Sequence, residues 1–119
     1  MKIAITASGP CLEDELDQRF GRAETILVYD SDTHFVDVIN NAAGAPSGGA
    51  GIAAAQRLVD RDVAVVITGQ VGPNALRVLE AAGIRLVQGR SGSAKSNLDA
   101  FQAGKLDDLQ TFVPPHSGK

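Results

Sequence analysis

At 119 residues the chain is long enough to bury one core and too short for two, so one domain is expected. Hydrophobic residues at 44%, charged residues at 21% and aromatics at 4% describe an ordinary globular protein whose core must come from Val, Ile, Leu and Ala. A formal charge of −3 gives no basic footprint for sequence-independent nucleic-acid binding, no apolar run approaches the roughly 18 residues of a membrane span, and MKIAITASGP has no signal-peptide core, so a cytoplasmic protein is expected.

Residues 2–7, KIAITA, are short, apolar and β-branched at Ile3, Ile5 and Thr6, then run into Ser8-Gly9-Pro10; they predict a first strand. ETILVYD (24–30) and HFVDVIN (34–40) surround a short polar turn and predict an antiparallel hairpin. Residues 41–51, NAAGAPSGGAG, read as a Gly-rich loop, after which the apolar period changes from two to about 3.6 and predicts a helix from Ile52 to about Asp60. Val63 to Ile67 is continuously apolar, as a central strand covered on both faces would be. Pro73 suits a first helical position, Ala75, Val78, Leu79 and Ala82 mark an apolar helix face, and Gly83 is placed to end that helix. Ile84 to Val87 predict a fifth strand, and Ala94, Leu98 and Phe101 one face of a third helix. The domain is expected to span residues 1–107, with 108–119, which include Pro114-Pro115, as a mobile tail.

This order predicts an α/β protein with a parallel core and one antiparallel strand. His34 and Asp37 on strand three and Arg85 on strand five belong at the edges, while strands one and four are apolar enough for the centre. Right-handed crossovers then put helices on both faces, giving three α/β/α layers around a mixed five-stranded sheet of order 3-2-1-4-5, with strand 2 antiparallel.

In that topology the loops at 8–23, 41–51, 68–73 and 88–94 meet at one sheet edge, where three helix N-termini, near Gly51, Pro73 and Ala94, also point. Such an edge suits an anion, because helix N-termini offer unpaired N–H groups and the positive ends of their dipoles. The candidate binding residues are Ser8, Cys11, Arg19, Phe20 and Arg22 in the first loop and Gly48, Gly49, Ala50 and Gly51 in the second. Gly69, Gln70, Val71, Gly72 and Asn74 belong to the third loop, and Arg90 and Lys95 to the fourth. Arg19, Arg22, Arg90 and Lys95 could surround a negative ligand or could be solvated charge beside Glu13, Asp14, Glu15 and Asp17. The glycines could let a ligand approach the backbone or could serve only tight turns, and the Gly-rich loop is neither a P-loop nor a dinucleotide fingerprint.

Catalytic constellations are mostly missing. KIAITA carries no carboxylate for a two-metal site, and His34 and His116 are poorly placed for a triad. One cysteine and two histidines cannot supply the usual four ligands of a zinc or iron-sulfur site. Cys11 remains a weak candidate for one thiolate ligand, with a plain loop thiol as its alternative.

MKIAI, Arg19-Phe20-Gly21-Arg22-Ala23, Gly48-Gly49-Ala50-Gly51-Ile52, Val71-Gly72-Pro73-Asn74-Ala75 and Ala103-Gly104-Lys105-Leu106 together resemble the dinitrogenase iron-molybdenum cofactor biosynthesis family over about residues 1–107. The resemblance implies a ribonuclease H-like fold and non-catalytic carriage of a molybdenum-containing metal-sulfur cluster. That cluster would be of iron-molybdenum or molybdenum-copper-sulfide type and held non-covalently, with protein partners in its delivery and neither nucleic acid nor membrane involved. Some relatives have a histidine immediately before Phe-Gly-Arg; Arg19 stands there instead, which puts direct histidine ligation in doubt. The alternative is a regulatory or assembly module that binds a protein partner or a small anionic metabolite at the same edge.

Overall fold

In the computed structural model, residues 1–41 and 50–109 are described. In chain order they form β1 (Lys2–Ala7), one turn of 3-10 helix (Phe20–Arg22), β2 (Thr25–Asp30), β3 (Val36–Asn40), α1 (Ala50–Asp60), β4 (Val65–Thr68), α2 (Pro73–Ala81), β5 (Arg85–Gln88) and α3 (Ala94–Gln102). The five strands make one sheet of order β3-β2-β1-β4-β5, as their charge distribution predicts. β1 pairs antiparallel with β2, from Lys2 opposite Asp30 to Ala7 opposite Thr25, and parallel with β4, while β4 runs parallel with β5.

Strand alternation divides the core between two layers. Ala4, Ile26, Val28, Val66 and Leu86 face α1 and α2, packing on Ala54, Leu58, Ala75 and Leu79. Ile3, Ile5, Leu27, Val65, Ile67 and Val87 face the other way, onto Ala94 and Leu98 of α3 and Leu16 of the first loop. A period of two sends neighbouring side chains to opposite faces, so strands covered on both sides must be apolar throughout, which is why the central strands lack polar alternation.

Several boundaries differ from the periodicity. β4 starts at Val65 rather than Val63, because the Val63 N–H closes the end of α1 on Leu58 O (3.2 Å) after Asp62 takes a left-handed φ of 57°. β5 likewise starts after Ile84, whose N–H bonds Leu79 O (3.0 Å) once Gly83 turns the chain at φ 75°. His34 is not a strand residue: it lies in the hairpin turn at φ 64°, its N–H on Asp30 O (2.7 Å), and β3 begins at Val36. α1 begins at Ala50, two residues before Ile52.

The β5 edge is covered by the chain that follows α3. Gln88 N–H bonds Asp107 O (2.9 Å), Leu109 N–H bonds Leu86 O (3.0 Å), and Arg85 Nε donates to Asp108 Oδ1 (2.8 Å). Asp108 and Leu109, assigned to the tail by the sequence reading, are thus tied to the sheet; residues 110–119 lie outside the described part. No helix among the described residues is long and apolar enough to cross a membrane.

Candidate functional site

Two loops at the carboxyl ends of β1 and β4 are sewn together. Thr6 Oγ1 lies 2.6 Å from the Asp17 carbonyl oxygen and 2.8 Å from Thr68 Oγ1. With one proton to give, it donates to the carbonyl and accepts from Thr68. Both threonines are fully buried, and the Asp17 N–H returns to Thr6 O (2.9 Å). Further along, Gln70 N–H bonds Gln18 O (2.5 Å) and Phe20 N–H bonds Gln70 O (3.0 Å). Gly69 is what allows this approach, since a Cβ there would stand 2.8 Å from the Gln18 carbonyl oxygen. Phe20 then inserts its ring into the core beside α1 and fixes the turn that carries Arg19 and Arg22.

Between that turn, the first turn of α1 and the start of α2 lies an open cavity of about 560 Å³. Arg19, Phe20, Gly21 and Arg22 line one side, Gly51 and Ile52 another, and Gln70 to Ala75 a third. Among the described residues the lining contains two guanidinium groups and no carboxylate. α2 has Gly72 at its N-cap, Pro73 in its first turn and no side-chain cap, so helix geometry leaves the N–H groups of Asn74 and Ala75 without partners in the helix. Ile52 is 40% exposed, an apolar side chain on the cavity wall.

The two arginines differ. Arg19 is forked onto Asp17: its backbone N–H and Nε donate to Oδ1 (2.9 and 3.1 Å) and Nη2 to Oδ2 (3.1 Å). Burial pushes the Asp17 carboxyl up, but the hydrogen bonds and charge of Arg19 together outweigh it and hold the group below its ordinary value. Arg22 is exposed, its backbone N–H bonds Arg19 O (3.2 Å), and its side chain makes no hydrogen bond or ion pair among the described residues.

Of the residues singled out in the sequence, Arg19, Phe20, Arg22, Gly51, Gln70, Val71, Gly72 and Asn74 come together at this cavity. Gly69 supports it from behind. Gly48 and Gly49 lie outside the described residues, as does the side chain of Ala50. Ser8, Cys11, Arg90 and Lys95 are not part of the lining. Ser8 is exposed with its N–H on Glu15 O, and Cys11 is an exposed thiol in a turn closed by Asp14. Arg90 Nη2 reaches Lys105 O (2.6 Å), and Lys95 Nζ pairs with Asp99 (3.3 Å).

The N-terminus of α3 is also unlike the expectation of an open anion site. The N–H groups of Ala94 and Lys95 bond Asp14 O and Leu12 O (2.8 Å each), Ser96 N–H bonds Ser93 Oγ (3.0 Å), and Asn97 N–H bonds Ser93 O (3.1 Å). The first loop folds across that end and uses its donors. Asn97, not singled out in the sequence, is buried with its amide on the carbonyls of Arg90 and Ser93 and its Oδ1 on Arg90 N–H, which shapes the fourth loop. Asp17 and Ile52 carry no local signal in the sequence that marks them as site residues, since one is a loop acid among several and the other one more helix apolar. No group of three or more His, Cys, Asp or Glu that could hold a metal ion occurs among the described residues.

Residues 1–104 match the family described as dinitrogenase iron-molybdenum cofactor. The apo form of the orange protein from Desulfovibrio gigas is 36% identical and superposes with a TM-score of 0.86, covering 95% of this chain and 96% of that one. A NifB-like protein from Thermotoga is 33% identical with a TM-score of 0.81, over 96% and 97% of the two chains. An uncharacterized protein of Methanocaldococcus jannaschii is 26% identical over 113 residues, 92% of each chain.

Proposed function

Because the chain belongs to the dinitrogenase iron-molybdenum cofactor family, we propose that it is a non-catalytic carrier of an anionic, molybdenum-containing metal-sulfur cluster, held non-covalently in the cytoplasm and passed to a protein partner. The observation behind this reading is the cavity itself, where Arg19 and Arg22 stand beside the uncapped start of α2 with no carboxylate among the described lining residues. Guanidinium and backbone N–H groups donate to an anion without replacing its metal ligands. A cluster that brings its own sulfides needs no protein donor set, and a volume of about 560 Å³ accommodates a polyatomic ion with room for its hydrogen-bond partners. Phe20, Ile52, Val71 and Pro73 supply apolar wall, which suits a soft sulfide surface better than a strongly hydrated oxyanion. Molybdenum-copper-sulfide and iron-molybdenum cargoes both have this chemistry.

The test is the double variant Arg19→Ala/Arg22→Ala, titrated with tetrathiomolybdate and copper(I) and followed by visible absorbance. Both side chains are exposed and outside the core, so the circular dichroism should stay native while affinity falls by at least about tenfold. Undiminished uptake by a natively folded double variant would remove the cavity from the account. Binding of a phosphorylated metabolite in its place, with no uptake of thiomolybdate, would favour the metabolite-binding module.

A further inference from the structure

We propose that Asp17 is a positioning residue of this site: its carboxylate holds the Arg19 guanidinium by one edge, so that the other edge is offered to the bound anion in a fixed orientation. The proposal rests on the cavity reading above. In the fork, Nε and one Nη2 proton are spent on Asp17, leaving both Nη1 protons and the second Nη2 proton without a partner among the described residues, on a side chain that lines the cavity. The anchor is firm where Arg19 is not. The Asp17 side chain is 11% exposed against 61% for Arg19, and the Asp17 main chain is bonded in both directions to buried Thr6, which Thr68 backs in turn.

The alternative is a pair that only stabilises the fold. An ion pair with so exposed a partner contributes little to stability, because water screens it and ordering a long side chain costs entropy. Paying that entropy before the ligand arrives is instead a gain for binding, since the anion then meets a guanidinium already in place. A carboxylate beside an anion site has an opposing effect, because it cancels part of the attractive field. Charge and orientation therefore pull in opposite directions on removal of Asp17, and the sign of the change separates them.

The measurement is the dissociation constant for tetrathiomolybdate with copper(I) in the wild type, Asp17→Asn, Arg19→Ala, Asp17→Asn/Arg19→Ala and Arg19→Lys. Asp17→Asn should weaken binding about fivefold in the wild type and leave it unchanged in the Arg19→Ala background, as expected of two groups acting as a unit. Arg19→Lys, a surface change that keeps the charge but loses the fork, should weaken binding to a similar degree. Equal or tighter binding by Asp17→Asn, with Arg19→Ala still weak, would overturn the positioning role and leave the site intact. An equal loss in both backgrounds would also overturn it, by assigning the effect to the fold. Wild-type affinity in Arg19→Lys would show that charge alone matters, and wild-type affinity in Arg19→Ala would remove Arg19 from the site altogether.

Discussion

Gly51 and Gly72 both border the cavity, but for different physical reasons. A Cβ at Gly51 would lie 3.3 Å from Ala75 Cβ, so its small size serves the close contact of α1 with α2. A Cβ at Gly72 would meet nothing within 4 Å, and its φ of −68° is open to any residue, so neither packing nor backbone demands glycine there. The position is an N-cap, where Asp would accept from the free N–H groups and complement the dipole, gaining up to about 1 kcal/mol. Gly72→Asp should therefore melt at or slightly above the wild-type temperature and take up cluster at least about tenfold more weakly, because its carboxylate occupies the donors and repels the anion. Thermal unfolding and a thiomolybdate titration on one sample check both halves, and wild-type uptake would mean that the α2 terminus does not face the cargo. Arg19, Arg22 and this turn were legible because Gly and Pro punctuate the chain around them. Asp17 was not, since nothing local tells which of the acids at 13, 14, 15 and 17 turns inward.

Helix starts look alike in sequence and differ in the fold. The sequence places three N-termini at one sheet edge, yet α3 has its donors consumed by Leu12, Asp14 and Ser93, an arrangement that depends on how a loop some eighty residues earlier in the chain docks across it. Periodicity cannot register such a contact. It follows that Ser93→Ala should cost stability, about 1 kcal/mol as for other lost N-caps, without changing cluster affinity. Chemical denaturation gives the first quantity and titration the second; a variant of normal stability that fails to bind would bring α3 back into the site. The strand starts expected at Val63 and Ile84 fall at Val65 and Arg85 for a related reason, because helix ends claim residues whose apolar character looks like strand.

The sheet as a whole was more legible than its parts. Continuous apolar runs can be satisfied only between two helical layers, and charged strands only at the margins, so Arg85 on β5 and Asp37 on β3 fixed the order from both ends. What composition could not supply was the cavity, since it arises where the Phe20–Arg22 turn, α1 and α2 converge from distant parts of the chain. The function proposed for the cavity is that an anionic cluster is held there by charge and hydrogen bonds, with no thiolate from the exposed Cys11. The direct test is to reconstitute the protein with tetrathiomolybdate and copper, remove unbound metal by gel filtration, and record visible absorbance and metal content beside the Cys11→Ser variant. The account predicts a coloured protein retaining molybdenum, with the same spectrum in Cys11→Ser. A colourless, metal-free protein after filtration would contradict carriage, and colour lost only in Cys11→Ser would contradict non-covalent holding.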